Sequence, residues 1–224
     1  EIIQYFPNLK AVIVEKPIGT DYKRAKKFLN LCNKKNITVA VNITRRYDDK
    51  LFALQSSIND TIGDLQCGFG VYGNGLMNNG THLIDLIRML FGEIKFVYAR
   101  NEENSTIQKN LEFNPCFSLE LKSGAYFNIQ SINYLKFREM NLDIWGSKGR
   151  LTFLHETLKY QLTKIIDHPY ATDERALNIE NPEYYSLNLG FAQYNLYENL
   201  YSHLSCGVPL LCNGEEALKT LSII

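Results

Sequence analysis

The chain has 224 residues, 45% hydrophobic and 21% charged, the balance of an ordinary globular fold long enough to bury a real core. Its 24 Lys and Arg offset 24 Asp and Glu, so the net charge is zero and nothing supplies the basic footprint that nucleic acid or an anionic membrane surface requires. No apolar run approaches the roughly 20 residues of a membrane helix, and the five cysteines form neither a Cys-x-x-Cys pair nor a disulfide framework, which predicts no metal and a reduced, cytoplasmic setting.

Leu9 to Glu15 is a short β-branched apolar run of the kind buried on both faces of a parallel sheet, and it ends at Lys16-Pro17, where the ladder cannot continue. Thr20 or Asp21 then caps a helix to about Asn33, with Ala25, Phe28, Leu29 and Cys32 on one face. Ile37 to Ile43 reads as a second buried strand. Strand, helix and strand make a right-handed βαβ unit, the end of a doubly wound sheet. After Thr44-Arg45-Arg46-Tyr47 the pattern changes. A helix is expected from about Asp49 to Ile58, a strand near Leu65 to Val71, and a second helix opened by the glycine-rich stretch Gly73 to Gly80 and stopped by Gly92.

Strands dominate from Ile94 onward: Ile94 to Arg100, Cys116 to Leu121, Ala125 to Asn133, Glu139 to Trp145 and Arg150 to Phe153, joined by tight turns that imply antiparallel pairing. Residues 156 to 183 are polar and carry no readable period. Leu187 to Leu204 is a long tyrosine-rich amphipathic helix, and Gly214 to Ile224 begins a last one. The expected architecture is α/β plus α+β. Residues 1–46 form the end of a doubly wound parallel sheet, and residues 47–224 form a C-terminal domain on an open, mostly antiparallel sheet with helices on one face. Starting at Glu1 without a methionine and ending inside a helix, the chain is expected to be a piece of a longer protein.

Several side chains in this order carry chemistry. His82 falls in the first two turns of its helix, where unpaired N–H groups bias an imidazole toward its neutral, proton-accepting form; the alternative is a satisfied structural histidine. Glu15-Lys16-Pro17 lies at the carboxyl end of a parallel strand, where open α/β sheets place their ligands, and its X-Pro bond is a candidate for cis geometry. Lys16 is suited to stabilising a developing negative charge, or is simply solvent-facing. Asn42, Arg45 and Arg46 leave the next strand at the same edge. The arginines suit hydroxyl-rich or anionic ligands, or form a structural ion pair. Asn78, four residues before His82, would project toward the same cleft, and Asp85 is expected to be structural.

The order Glu-Lys-Pro, then Asn-x-x-Arg-Arg-Tyr, then Asn78-x-Gly80-x-His82-x-x-Asp85 resembles the glucose-fructose oxidoreductase and inositol dehydrogenase family, Gfo/Idh/MocA. Asp143-Ile144-Trp145-Gly146-Ser147-Lys148-Gly149 is similar to that family's Gly-Ser-x-Gly turn, and Cys206-Gly207-Val208-Pro209 with Gly214-Glu215-Glu216-Ala217 to its C-terminal segment. The resemblance implies an NAD(P)-dependent oxidoreductase acting on a hydroxyl of a sugar or nucleotide-sugar, with surface-polysaccharide biosynthesis as its setting, or a catalytically silent sugar-sensing or assembly subunit. It implies Lys16 and His82 as catalytic residues. Glu15, Lys16, Pro17 and Asn42 would be cofactor-binding for NAD or NADP, and Arg45, Arg46, Tyr72, Asn78 and Asn79 substrate-binding. The expected partners are the small-molecule sugar and further copies of the chain, forming a homo-oligomer through the open sheet; no nucleic acid, membrane or metal is expected. The Gly-x-Gly-x-x-Gly turn that cradles the pyrophosphate is missing from the start of the chain, so this piece alone is expected to be inactive. Asn78 stands where many members carry aspartate, which leaves His82 to act alone.

Overall fold

A computed structural model describes residues 2–99 and 113–224. Ile2–Tyr5 (α1) leads into the parallel pair Ala11–Glu15 (β1) and Thr38–Asn42 (β2), joined by the helix Tyr22–Lys34 (α2). Asp21 caps α2 by accepting the Arg24 N–H at 2.7 Å, and Ala25, Leu29 and Cys32 form its buried stripe at helical spacing. A 3₁₀ turn, Thr44–Tyr47, carries the chain to the helix Asp49–Ile62 (α3). Asp48 caps α3 by accepting the N–H groups of Lys50 and Leu51, both at 3.0 Å.

Among the described residues the second sheet has nine strands: Leu65–Tyr72 (β3), Ile94–Ala99 (β4), Phe117–Leu121 (β5), Tyr126–Ser131 (β6), Asn141–Gly146 (β7), Gly149–Leu154 (β8), Lys159–Asp167 (β9), Arg175–Leu177 (β10) and Glu183–Ser186 (β11). Its order is β10-β9-β8-β7-β3-β6-β5-β4, with β11 also paired to β9. The β3–β6 pair is parallel and the other described pairs of this sheet are antiparallel, so the sheet is open and mostly antiparallel. The expected strand at 94–100 ends within the described residues at Ala99; Arg100 lies outside them. Strands β9 to β11 fall in the stretch whose sequence had no readable period. They lie at the margin of the sheet, where β11 and most of β10 are exposed or half-buried, so alternation of apolar and polar residues is weak there.

One face of this sheet packs against α3 and the helix Thr81–Phe91 (α4). Leu51, Leu54, Ile58 and Ile62 from α3 meet Leu83, Leu86, Ile87 and Leu90 from α4 over Leu119, Phe127, Ile129, Leu142, Ile144, Leu151 and Phe153. A second core joins α2, β2 and Tyr47 to the last two helices, Ala192–Cys206 (α5) and Gly214–Leu221 (α6), through Ala25, Leu29, Val41, Ile43, Ala192, Leu196, Ala217 and Leu218. Between those helices the chain runs beside β2, where the Val41 N–H donates to Cys212 O at 3.0 Å and Ala40 bridges Asn213. The C-terminal helices thus return to the sheet with which the chain began. No helix among the described residues is long and apolar enough to cross a membrane.

β3 presents glycine, not bulk, to the larger core. A Cβ on Gly68 would lie 2.1 Å from Cε1 of Phe127, a ring with no exposed surface, and one on Gly70 would lie 2.8 Å from Cδ1 of Ile129. Gly68→Ala is therefore expected to lower stability by about 1–3 kcal/mol through overpacking, read as a drop in the urea midpoint at unchanged m-value.

Candidate active site

Strand register builds the first half of the site. Glu15 and Asn42 are paired residues at the carboxyl ends of β1 and β2, and Asn42 Nδ2 donates to Glu15 Oε1 at 3.0 Å. Lys16 follows directly, and the Lys16–Pro17 peptide is cis. The Lys16 ammonium donates to Asn78 Oδ1 and, at 3.3 Å, to Asn78 O. Lys16 thus meets the segment that leads into the helix of His82.

The second half is a helix with an irregular opening. Asn74 is left-handed at φ 62°, Gly75–Gly80 forms a π-helical segment, and α4 continues from it without a break. The first N–H groups of this segment are already occupied: Gly75 N donates to Asn114 Oδ1 at 2.7 Å and Leu76 N to Phe113 O at 2.9 Å. His82 therefore lies beyond the terminal turn, and the physical cause proposed from the sequence is corrected. Burial is the main reason its pKa falls from 6.5 to about 2, followed by the charges of Arg45 and Lys16. The imidazole is therefore held neutral, with a free lone pair at neutral pH. Its Nδ1 is enclosed without a hydrogen-bond partner among the described residues, as are Asn42 Oδ1 and Asn79 Nδ2. Buried polar atoms are rarely left unpaired, and these three, unlike the fourth such atom, Asn141 Oδ1 of β7, lie on the segments that carry the site, where a ligand or water could complete their bonding.

Three substrate-binding expectations meet a different arrangement. Tyr72 has no exposed surface. Its hydroxyl donates to Pro115 O at 2.7 Å and its ring meets Phe117 edge-on at 5.9 Å, so it belongs to the core. Arg46 grips Asp85 with both arms of its fork, Nε to Oδ2 at 2.7 Å and Nη2 to Oδ1 at 3.0 Å. The Thr220 hydroxyl adds a third donor to Asp85 at 2.7 Å and accepts from Arg88 Nη1 at 2.6 Å. Burial lowers the affinity of Arg46 for its proton, but Asp85 outweighs this and raises it above the ordinary arginine value. Arg45 donates from Nε to Thr157 Oγ1 at 2.5 Å and from Nη2 to Glu156 O at 2.8 Å. Its burial lowers its pKa to about 10, opposed in part by Glu156.

The residues that Arg45 reaches escaped sequence reading. His155, Glu156 and Thr157 form the β8–β9 turn with φ of 52°, 55° and 70°, left-handed conformations that disfavour non-glycine residues by about 1–2 kcal/mol each. Glu156 in turn accepts from Tyr134 Oη at 2.7 Å. A polar tract without period gives no local signal for this contact across more than 100 positions. A literal Gly68-x-Gly70-x-x-Gly73 string also exists, but its first two members lie inside β3 and make room for Phe127 and Ile129, so it cradles no phosphate. Among the described residues no group of three or more His, Cys, Asp or Glu could hold a metal.

A Lys–Asn–His constellation joins the ends of two parallel strands to a helix on a mostly antiparallel sheet. The class this defines is an oxidoreductase C-terminal α/β domain, whose family model matches residues 71–224. The chain belongs to the Gfo/Idh/MocA oxidoreductase family. No curated protein sequence matches it. Solved structures share its fold at low identity. The WlbA dehydrogenase from Bordetella pertussis, in complex with NADH and UDP-GlcNAcA, is 18% identical with a TM-score of 0.68, covering 95% of this chain and 66% of that one. An inositol dehydrogenase homologue from Azotobacter vinelandii, complexed with NADH and myo-inositol, is 15% identical with a TM-score of 0.71, covering 95% and 67%. A super-repressor mutant of Gal80p from Saccharomyces cerevisiae is 15% identical with a TM-score of 0.72, covering 97% and 69%. The chain thus spans about two thirds of the length of these structures.

Because His82 binds a proton in the unfolded chain below pH 6.5 but in the folded chain only near pH 2, stability falls as pH drops below 6.5. The expected slope is up to about 1.4 kcal/mol per pH unit. Urea midpoints between neutral and mildly acidic pH should fall more steeply for the wild type than for His82→Gln.

Proposed function

We propose that the full-length protein is an NAD(P)-dependent oxidoreductase acting on a hydroxyl of a sugar or nucleotide-sugar. The observation that carries this reading is the enclosed, neutral His82, set beside the Lys16 ammonium that Asn78 orients. The buried acceptor Asn42 Oδ1, at the carboxyl ends of the parallel strands, fits a group that brings its own donor. Glu15, Lys16, Pro17 and Asn42 would therefore hold the nicotinamide end of the dinucleotide, which when bound supplies the hydride-accepting carbon.

The chain's own part is acid–base and electrostatic. His82 accepts the hydroxyl proton in the oxidising direction and returns it in the reverse. Lys16 stabilises negative charge on the substrate oxygen. Asn78 accepts from Lys16 through Oδ1, which leaves its Nδ2 as the donor toward substrate. Arg46 serves through Asp85 by fixing α4, not by touching substrate. The relatives bound to UDP-GlcNAcA and to myo-inositol support polyhydroxylated substrates.

The likeness to Gal80p favours a second reading, a catalytically silent regulatory subunit. Full-length protein with NAD+ or NADP+ and a panel of UDP-GlcNAc, UDP-GlcNAcA and myo-inositol separates the two by the growth of reduced-nicotinamide absorbance. On the oxidised substrate His82→Ala should cut turnover by about 10²–10⁴-fold. Turnover near wild type would remove His82 from the mechanism.

We further propose that the uncovered face of the large sheet joins copies of the chain. Phe69, Tyr98 and Tyr126 expose 42%, 49% and 46% of their surface there. Phe69→Glu is expected to lower the oligomer mass of the full-length protein measured by light scattering; an unchanged mass counts against this contact.

A further inference from the structure

We infer that Arg45 is a positioning residue, and that the group it positions, the Glu156 carboxylate, is a specificity-determining contact for neighbouring hydroxyls of the substrate ring. This rests on the oxidoreductase reading above and adds the chemistry of one wall of its site.

The inference begins with strain. Three consecutive residues without a glycine, His155, Glu156 and Thr157, hold left-handed backbone. Such conformations persist only when surrounding structure enforces them, and they gather at functional sites. Arg45 supplies the enforcement. Its Nε and Nη2 are directed at Thr157 Oγ1 and Glu156 O, at 2.5 and 2.8 Å, and Thr157 is itself buried. The same guanidinium lowers the pKa of His82, so the strained turn and the proposed base flank one cation. Arg45 acts on that wall through the turn it clamps.

The turn delivers Glu156 in a fixed pose. Oε1 accepts from Tyr134 Oη at 2.7 Å and Oε2 from Arg138 Nη2 at 2.9 Å, while the side chain keeps 28% of its surface exposed. Each carboxylate oxygen retains a further lone pair. Tyr134 packs against Gly73, where a Cβ would approach its own Cβ to 2.7 Å, and Asn79 lies beside it. Asn79 Nδ2 is a buried donor without a partner. One wall therefore offers spare acceptor capacity on Glu156 and, on Asn79, a buried donor turned toward the Tyr134 hydroxyl without a well-formed hydrogen bond to it. Adjacent hydroxyls, each able to donate and accept, satisfy both. The ligand class assigned here is the neutral, hydroxylated face of a sugar ring.

The test uses the full-length enzyme and whichever substrate of the panel above it oxidises. Glu156→Gln and Glu156→Ala are expected to raise KM by at least about tenfold, the loss of one well-made polar contact, with a smaller change in kcat. Arg45→Met should raise KM similarly and Arg45→Lys should recover part of the loss. The double variant Arg45→Met/Glu156→Ala should be no worse than Glu156→Ala alone, because one residue acts through the other. Thermal unfolding of each variant separates a lost contact from a lost fold, and Glu156→Gln carries the test if Arg45→Met does not fold. An unchanged KM in folded Glu156→Ala overturns the inference and leaves the His82 reading standing. Multiplied effects in the double variant overturn the positioning role of Arg45. A wild type that oxidises nothing in the panel takes both readings down.

Discussion

The buried pairing of Arg46 with Asp85 is the constraint around which the two halves of the molecule are arranged. Arg46 leaves the 3₁₀ turn that follows β2, Asp85 sits in the middle of α4, and Thr220 of α6 completes the carboxylate's bonding. Removing one member of such a pair leaves an uncompensated buried charge, typically a loss of about 3–5 kcal/mol, although a well-packed apolar substitute for both is often neutral. Its distinctive contribution is geometric. A two-armed fork fixes distance and plane together, and so fixes α4, with His82 one turn before Asp85, relative to the strands that carry Lys16.

Around that joint the charges alternate. Arg88, on the same helix as Asp85, reaches Glu93 at 2.9 Å and Glu216 at 3.2 Å, while Lys219 meets Glu216 at 2.6 Å. Each of these cations lies against a carboxylate, so the buried charge is compensated. Near His82 the balance is reversed: burial is the main reason the imidazole stays neutral, and the charges that act on it, the cations Arg45 and Lys16, push the same way. A structural network and a reactive group thus sit one helical turn apart with opposite electrostatics.

What the sequence disclosed follows from how local each signal is. Lys16, Asn78 and His82 were legible because strand ends, a proline and a glycine-rich helix opening place them in chain order at one edge. Tyr72 lies in the core for a physical reason. In β3 the apolar-looking register Cys67, Phe69 and Val71 lies on the uncovered face, while Gly68 and Gly70 share the covered face with Tyr72, so alternation points the wrong way wherever glycine makes room for a neighbour's ring. The π-helical opening was not legible either. Its first N–H groups are satisfied by Phe113 and Asn114, partners more than 30 positions away, and no local pattern announces them. Arg45 was found by residue type but not by role, because its acceptors lie in a turn 111 and 112 positions later.

The return of α5 and α6 to the first sheet bears on motion. In a hinged enzyme a few residues, where the chain passes from one body to the other, absorb the rotation. Here the chain crosses between the two cores near residue 44 and again after residue 187, and the second crossing is pinned by Val41 to Cys212 and by the shared packing of Leu29 with α6. Two crossings with a buried ion pair between them act as a clasp. Rotation of one half against the other would have to bend both crossings and part the buried ion pair, which favours discrimination among ligands by side chains such as Glu156 and Asn79 over the closing of one half upon the other.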